Sequence, residues 1–467
     1  MKNQNSFHKR LIHIMYIVLV LILNQACKKE WLEAKPDKSL TVPTTIQDFQ
    51  AILDNTDVFN TNYPGLNEVC SDNYFVTLAN WEGSGSFLER NNYIWSKDLY
   101  GGETYNPDWD QSYKKILYAN LVIEGISKIT TTEHNLKDWG NVKGSALFYR
   151  AFSYFNLSQL FCKPYQEIGA NNDLGLPMRL SSNVNEQVRR TSVKATYEQI
   201  VTDLNNALEL LPSKSVYLTR PSKNAVYALL ARIYLSMGDF DSALKNSNAS
   251  LGISELLIDY NTLKPTAALP FIRFNTEVIF HSEAATYRII SRTNFSVDTE
   301  LYKAYEMNDL RKSLYFTLSG SDAKFKGNYS GSNVFFNGLA VDEMLLIRSE
   351  CLARKHKIDE AMADLNLLLK TRWRKNPDGS STYVDLTASN TTAAVKIILE
   401  ERRKELLFRE LRWTDLRRLN IDPTYAIILK RTLNGQMYIL TPNDLKYTLS
   451  IPPDEIRLSG IEQNKRD

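Results

Sequence analysis

The densest run of side chains that could perform chemistry lies near the C-terminus, over residues 401–418. Two carboxylates on one site could hydrolyse a glycosidic bond, but the adjacent Glu400 and Glu401 would point about 100° apart on a helix. Opposite charges three or four residues apart instead favour ion pairs along one helical face. The pairs at this spacing are Glu401 with Lys404, Glu405 with Arg409, and Arg412 with Asp415. We therefore expect a salt-bridged helix and no catalytic residues.

Aromatic side chains in two polar, irregular segments could bind a sugar. A sugar ring has an apolar C–H face and an edge of hydroxyls, so its site needs flat rings beside polar groups. Burying one such face contributes only about 1 to 2 kcal/mol at about 25 cal/mol per Å², so binding needs several contacts. Trp81 is the foremost candidate because polar, glycine-containing sequence surrounds it. The other candidates, each of which could instead pack in the core, are Trp95, Tyr100, Tyr105, Tyr287, Arg288, Phe325 and Tyr329.

Cysteine and histidine patterns indicate no cofactor or metal site. The four cysteines form no Cys-x-x-Cys or Cys/His spacing, which excludes a zinc module or a disulfide framework. The five histidines show no paired spacing, and no nucleophile or phosphate-loop motif is present. We expect Cys70, Cys162 and Cys351 to be buried, with a Cys70–Cys162 disulfide as the alternative.

The N-terminus is typical of an exported protein. Basic residues precede an apolar run over 11–23. That run of about 13 residues is too short for the roughly 30 Å hydrocarbon core but suits a secretory signal. Ala26 directly before Cys27 resembles a bacterial lipoprotein signal, in which the cysteine is acylated and begins the mature chain. We expect a signal peptide at 1–26 and a lipid on Cys27, with a plain signal peptide as the alternative.

The composition fits a large globular protein without a nucleic-acid partner. The chain has 467 residues, 43% of them hydrophobic, which is enough to bury a large core. Lys and Arg number 56 against 53 Asp and Glu, and three of the basic residues lie in the expected signal peptide. The processed chain is therefore neutral, which argues against nucleic acid as the main partner.

Helical hairpins are the elements that must position these residues. Residues 224–250 reproduce the small, aromatic and glycine-turn spacing of a tetratricopeptide hairpin, with Gly238-Asp239 at the turn. Residues 341–371 repeat that scheme, and 141–211 contain a third hairpin opened by an insertion. Stacked helix pairs bury a shared core that no single pair could bury. We predict a mainly α fold in which these hairpins form a solenoid-like scaffold.

Long irregular segments interrupt the scaffold. The aromatic candidates fall in 60–108 and 256–338, which show little helical periodicity. Structured interruptions of this length usually carry function. We expect few short strands, an N-terminal tether over 27–45 and a last long helix over 393–419.

Several separate blocks resemble the SusD/RagB family of outer-membrane nutrient-binding lipoproteins. The most specific block comprises Glu401-Arg402, Glu405-Leu406, Phe408, Arg412-Trp413, Asp415-Leu416 and Arg418. The others are Cys27 with Trp31-Leu32-Glu33 and Lys35-Pro36-Asp37, then Trp109, Tyr113, Ile116 and Asn120, then Arg150-Ala151 with Tyr154-Phe155, and finally Ile451-Pro452, Glu455-Ile456 and Gln463-Asn464. One departure is Glu410, where members usually carry glycine.

The resemblance implies a single SusD-like domain over 27–467 that binds nutrients without a cofactor or catalysis. Such proteins are lipid-anchored in the outer membrane, face the exterior and form a lid on a SusC-like TonB-dependent transporter. They capture oligosaccharides, or peptides in some members. Two alternatives come from other classes. A periplasmic tetratricopeptide-type protein–protein scaffold would have a polar, loop-poor concave face, and a secreted hydrolase would need an acid pair or a nucleophile.

Overall fold

The computed structural model describes residues 42–466, so the expected signal peptide, Cys27 and most of the expected tether lie outside the described residues. Its helices are α1 (Ile46–Leu53), α2 (Thr56–Phe59), α3 (Leu66–Cys70), α4 (Leu78–Glu82), α5 (Phe87–Tyr93), α6 (Pro107–Ile126), α7 (Leu136–Phe161), α8 (Val193–Leu210), α9 (Lys223–Met237), α10 (Phe240–Ile253), α11 (Thr299–Lys303), α12 (Arg311–Leu314), α13 (Val341–Arg354), α14 (Ile358–Lys370), α15 (Thr391–Glu405), α16 (Arg412–Leu419) and α17 (Pro453–Ser459). Short 3-10 turns cover Tyr260–Thr262, Arg288–Ile290 and Leu445–Tyr447.

The strands are short and pair as two-stranded antiparallel ribbons. They are β1 (Tyr74–Val76), β2 (Leu174–Pro177), β3 (Arg190–Ser192), β4 (Val278–Phe280), β5 (Phe295–Val297), β6 (Phe316–Ser319), β7 (Asp322–Phe325), β8 (Leu339–Ala340), β9 (Leu429–Leu433) and β10 (Gln436–Leu440). The ribbons are β1–β5, β2–β3, β4–β8, β6–β7 and β9–β10. The mainly α class with few short strands, predicted from the sequence, is confirmed.

Three antiparallel helix pairs form the scaffold: α7 with α8, α9 with α10, and α13 with α14. Helix α7 also packs on α6, which explains why its apolar residues spread over a wide face. Gly238 ends α9 in the left-handed region, at φ 76°, and the Asp239 side chain caps α10 by accepting from the Ser242 amide. These two residues make the hairpin turn that their spacing predicts.

The predicted long helix over 393–419 is wrong, because the structure divides it into α15 and α16. Phe408 and Glu410 between them have φ of 56° and 61°, a left-handed conformation that no helix interior tolerates. The Phe408 ring turns away from the helix to pack on Phe295 and Phe325, with ring centroids 4.9 and 4.7 Å apart. Burial of this ring outweighs continuation of the helix.

The predicted local ion pairs are mostly replaced by long-range ones. Glu401 does bind Lys404, at 2.7 Å. However, Glu405 binds Arg372 and Arg311 rather than Arg409, which binds Asp342. Likewise, Arg412 binds Asp72. Because α15 ends at Glu405, Arg409 no longer shares its face and binds Asp342 instead.

A buried ionic network fixes segment 256–338 to the helical scaffold. The Arg372 guanidinium lies 2.9 Å from Glu277 and 2.8 Å from Glu405, and all three side chains are fully buried. The Tyr329 hydroxyl donates to Glu277 at 2.8 Å. Arg311 binds Glu405 at 3.0 Å from the other side. These buried contacts connect the irregular segment to the helical scaffold.

Segment 60–108 contains short helices, which the prediction of loop-dominated structure missed. Helices α3, α4 and α5 have five, five and seven residues, too few to show a periodic pattern. The Thr77 and Ser86 side chains cap α4 and α5. Arg412 binds Asp72 at 2.6 Å and attaches the segment to α16.

The three described cysteines are free and buried, as expected, so the alternative Cys70–Cys162 disulfide is not formed. Burial raises the pKa of the Cys70 and Cys162 thiols to about 12. Both therefore remain protonated at neutral pH and act as small apolar side chains. Trp109, Trp373 and Trp413 are buried in the core and Trp139 is half-buried.

Glu410, the residue at the expected glycine position, is buried beside a second acid. Its carboxylate accepts a hydrogen bond from the Glu68 amide at 3.0 Å, and each of the two carboxyl groups has one oxygen without a hydrogen-bond partner among the described residues. Burial raises the pKa of Glu68 to about 7 and, with repulsion from Glu68, raises the pKa of Glu410 well above its ordinary value. The folded protein therefore favours the protonated acids and becomes less stable as the pH rises through these values.

We predict that Glu410→Gln stabilises the protein at pH 8 by about 2 kcal/mol and changes its stability little at pH 5, where Glu410 is already protonated. Urea unfolding at the two pH values measures the difference. Glu133→Gln, at an exposed position, is the matched control and should change neither value. An equal effect of Glu410→Gln at both pH values would mean that the Glu410 carboxylate does not carry the pH dependence.

Candidate ligand-binding site

The ribbon β1–β5 joins the two irregular segments. Tyr74 pairs with Val297, and Val76 pairs with Phe295. This pairing places α4, directly after β1, beside the loop that precedes β5. Side chains more than 200 positions apart in the chain thereby meet at one surface.

Trp81 lies on α4 and is half-buried, with its indole fixed from inside the protein. Its Nε1–H donates to the Arg90 carbonyl at 3.0 Å. The Arg90 guanidinium donates to the Ser84 carbonyl at 2.8 Å and lies 4.6 Å from the centre of the Phe87 ring. The Phe87 ring is 46% exposed. The result is a pair of oriented aromatic rings with a guanidinium group stacked on the Phe87 ring.

Polar groups of the second segment border these rings. The Asn80 side chain donates to the Asn294 carbonyl at 2.6 Å, and the Asn294 side chain donates to the Arg288 carbonyl at 2.8 Å. Arg288 itself is exposed. Further along, Arg292 donates to Asn333 at 3.2 Å. We call this surface the loop face and define it as Asn80, Trp81, Phe87, Arg90, Arg288 and Asn294.

The loop face has the two components that a sugar site requires. Aromatic rings can cover the C–H face of a sugar, and guanidinium and amide groups beside them can bind its hydroxyls. The internal hydrogen bonds fix these groups before a ligand arrives, which lowers the entropic cost of binding. Of the residues predicted from the sequence, Trp81 lies on this surface, and Arg288 is exposed and connected to it through its backbone carbonyl, which accepts from Asn294.

Tyr105 is also on the surface, 57% exposed. It follows Glu103, whose carboxylate accepts from the Phe87 amide at 3.1 Å. Gly101 in the same loop has φ 55°, and a Cβ there would lie 2.7 Å from the Phe87 ring. The loop therefore packs against Phe87, and Tyr105 lies at the end of this loop.

Five of the predicted ligand contacts are corrected by the structure, because their side chains are buried. They are Trp95, Tyr100, Tyr287, Phe325 and Tyr329. Their polar atoms already have partners inside the protein: Trp95 donates to the Cys70 carbonyl, and the Tyr287 hydroxyl donates to Asp108. A buried ring has no free face for a ligand, so these residues belong to the core.

Sequence reasoning missed Asn80, Phe87, Arg90 and Asn294. Two sequence signals could have indicated Asn80 and Phe87. Asn80 is the polar residue next to Trp81, and Ser86, a helix-capping residue, directly precedes Phe87. The contribution of Asn294 has no local signal, because it depends on the β1–β5 pairing.

Three buried carboxylates could in principle hold a metal ion. Within residues 42–466, oxygen atoms of Glu277, Asp342 and Glu405 lie within 4.8 Å of one another. Arg372 and Arg409 already bind all three at 2.8 to 2.9 Å. These guanidinium groups compensate the negative charge that would attract a cation, so the arrangement is a structural ion network.

No helix within residues 42–466 combines the length and the apolar character needed to cross a bilayer.

Two family models match the chain. A model described as starch-binding and associating with the outer membrane matches residues 30–235, and the SusD family model matches residues 341–458. The chain is also similar to SusD-like protein P2 of Formosa agariphila, with 30% identity over 165 residues. That match covers 35% of this chain and 30% of the relative, so the matched part spans under a third of the relative's length.

Solved structures share the fold over nearly the whole chain. A SusD superfamily protein from Bacteroides thetaiotaomicron has a TM-score of 0.71 and 22% identity, covering 90% of this chain and 100% of its own. A SusD-like carbohydrate binding protein from Bacteroides vulgatus has a TM-score of 0.67 and 19% identity, covering 91% and 97%. Surface glycan-binding protein A from Bacteroides fluxus has a TM-score of 0.65 and 16% identity, covering 90% and 99%.

Proposed function

Because this chain belongs to the SusD/RagB family, we propose that it is a cell-surface lipoprotein that captures oligosaccharide and delivers it to a SusC-like TonB-dependent transporter. The loop face is the ligand site in this proposal. Cys27 carries the lipid that holds the protein at the outer membrane, facing the exterior. The protein binds its ligand and performs no catalysis.

The observation that carries this proposal is that Trp81 and Phe87, which both contact Arg90, lie beside a border of polar groups. The Asn80 side chain donates to the Asn294 carbonyl at 2.6 Å, so the two irregular segments meet at one surface. A periplasmic protein–protein scaffold would have no use for aromatic rings fixed in this way on inserted loops. The similarity to structures whose names include carbohydrate or glycan binding supports the same class of ligand.

The carboxylates of residues 401–418 support binding rather than hydrolysis. Glu401 is bound by Arg311 at 2.6 Å and by Lys404 at 2.7 Å, which lowers its pKa despite burial. Neither of these partners belongs to the loop face. A hydrolase would need an acid pair exposed to the substrate.

A panel of polysaccharides and peptide mixtures tests the ligand class. The mature chain without its lipid is run through native gels that contain each polysaccharide, and peptide binding is measured by calorimetry. We expect one glycan to retard the protein, at micromolar to millimolar affinity. Binding of peptides and of no glycan would identify a peptide-binding member of the family and contradict the proposed substrate.

Cys27→Ala should move the protein from the membrane fraction into the soluble fraction. An acyl chain contributes about 0.8 kcal/mol for each CH₂ buried in the bilayer, and this variant cannot carry one. Cell fractionation followed by immunoblotting measures the distribution, and Cys351→Ala, at a buried position, is the control that keeps the anchor. Retention of Cys27→Ala in the membrane fraction would contradict lipidation at Cys27.

Protease treatment of intact cells tests the orientation. A protein that faces the exterior is digested, whereas a periplasmic scaffold is protected. Protection from the protease would contradict the proposed lid.

Affinity purification of the full-length protein from detergent-solubilised outer membranes tests whether it binds a transporter. The transporter should co-purify as an integral outer-membrane protein.

A further inference from the structure

Three stretches of segment 256–338 contain basic residues and no acids. They are 261–276, 284–297 and 323–338, and we call them the basic stretches. At the average frequency of Asp and Glu in this chain, stretches of this total length would contain about five acids. Their cations are Lys264, Arg273, Arg288, Arg292, Lys324 and Lys326. Because the processed chain is neutral, these residues form a local excess of positive charge.

Hydrogen bonds bring the basic stretches together. The Lys326 ammonium group donates to the carbonyls of Pro265 and Ala267, which joins the third stretch to the first. The Arg292 guanidinium donates to the Asn333 side chain at 3.2 Å, which joins the second stretch to the third. Residues up to 61 positions apart in the chain thus meet, and the cations lie on neighbouring loops.

The positive charges of the basic stretches are not compensated locally. None of the six cations forms an ion pair with any residue in 42–466. Burial and repulsion from Arg292 lower the pKa of Lys326, and no carboxylate opposes this shift. The four acids that flank the basic stretches have other partners. They are Glu277, Glu283, Asp298 and Asp322, whose partners are Arg372, His281, the Leu301 amide and Ser296.

The first irregular segment does not supply the missing negative charge. Its Glu89 is buried, where the carboxylate accepts from the Ile289 amide at 2.7 Å, and burial raises the pKa of Glu89. Beside the rings lie two further acids, Glu82 and Glu103, and the cation Arg90. These three leave one negative charge against the six cations of the basic stretches. The surface where the two segments meet is therefore positive.

Two of the cations are available to a ligand at the loop face. Arg288 is exposed, and its guanidinium has no hydrogen-bond partner among the residues that the structure describes. Arg292 is half-buried and donates to Asn333. Asn294 accepts from Asn80 through its carbonyl and donates to the Arg288 carbonyl at 2.8 Å. Both guanidinium groups are therefore carried by backbone that adjoins the loop face.

We propose that the loop face binds an anionic polysaccharide, with Arg288 and Arg292 as the contacts to its sulfate or carboxylate groups. This inference rests on the proposed function and adds the charge class of the ligand. A guanidinium group binds the oxygens of such an anion through paired N–H groups. A phospholipid surface also carries anions, but it offers no sugar face for Trp81 and Phe87.

Native gels that contain dextran, dextran sulfate or polygalacturonate test the charge class, because the first two polymers share one backbone and differ in sulfate. At about 0.05 M NaCl we expect dextran sulfate, polygalacturonate or both to retard the mature chain, and dextran not to retard it. Raising NaCl to about 0.5 M should weaken binding about tenfold or more. Failure of both anionic polymers to bind would overturn the inference. Retardation by a neutral glycan alone would also overturn it, while leaving the proposed function intact.

The double variant Arg288→Gln, Arg292→Gln should weaken binding of the anionic polymer about tenfold or more, because two charge-assisted contacts are lost. Its unfolding midpoint should equal that of the wild type, because neither guanidinium forms an ion pair within residues 42–466. Arg189→Gln removes an exposed cation outside the basic stretches and should leave the affinity unchanged. Unchanged affinity in the double variant would overturn the inference.

Two further measurements test whether charge and rings form one site. Trp81→Ala should weaken binding of the same anionic polymer, and full affinity in this variant would separate the cations from the loop face and overturn the inference. Phosphatidylglycerol vesicles and duplex DNA, which are anionic without being polysaccharides, should bind more weakly than the polymer. Equal or tighter binding of either would assign the positive surface to another partner and overturn the inference.

Discussion

Replacing Arg372 by methionine should lower the free energy of unfolding by about 3 to 5 kcal/mol, the usual cost of breaking a buried ion pair from one side. Arg372 is fully buried and binds Glu277 and Glu405 at 2.8 to 2.9 Å. Methionine is similar in length but leaves both carboxylates without this partner. Because Glu277 lies in segment 256–338, the substitution should also loosen the segment that supplies Arg288 and Asn294.

Urea unfolding measures the loss of stability, and limited proteolysis measures the loosening. Arg374→Met, two positions away and exposed, is the matched control and should change the free energy of unfolding by less than about 0.5 kcal/mol. If Arg372→Met cost less than about 1 kcal/mol, the network would not hold the irregular segment in place.

Trp81→Ala should weaken glycan binding about fivefold to thirtyfold. Stacking on an indole buries the apolar face of a sugar, which is worth about 1 to 2 kcal/mol, and loss of the ring also removes a rigid neighbour of Asn80. Each 1.4 kcal/mol corresponds to about a tenfold change in affinity. Calorimetry with the glycan that retards the wild type in gels measures the change.

Trp139→Ala is the matched control for this substitution. Trp139 is also half-buried, and its indole N–H donates to a backbone carbonyl, that of Ile126, at 2.7 Å. It lies on α7, outside the loop face. Its loss should reduce stability without changing affinity. Equal losses of affinity in the two variants would point to general destabilisation rather than to a ligand contact.

The scaffold could be predicted from the sequence because its signals are local. The turn at Gly238-Asp239 needs a left-handed residue and a helix cap, and both are visible in two adjacent positions. The break between α15 and α16 has no such signal. It arises because the Phe408 ring is buried against Phe295 and Phe325, which are distant in the chain.

The candidate site was only partly predictable for the same reason. Trp81 stands out in the sequence because its neighbours are polar. In the folded protein it remains partly exposed. Tyr329 also has polar neighbours, over residues 327–332, yet it is buried and its hydroxyl donates to the distant Glu277. Exposure of a ring is decided by tertiary contacts, and sequence spacing alone does not contain them.

The most direct test of the proposed function observes Trp81 itself during binding. Selective ¹⁵N labelling of tryptophan gives separate indole N–H signals, and Trp81→Phe identifies the signal of Trp81. Titration with the glycan that the wild type binds should shift this signal saturably, with the dissociation constant found by calorimetry. A Trp81 signal that stays constant while the signal of another tryptophan shifts would contradict the loop face as the ligand site.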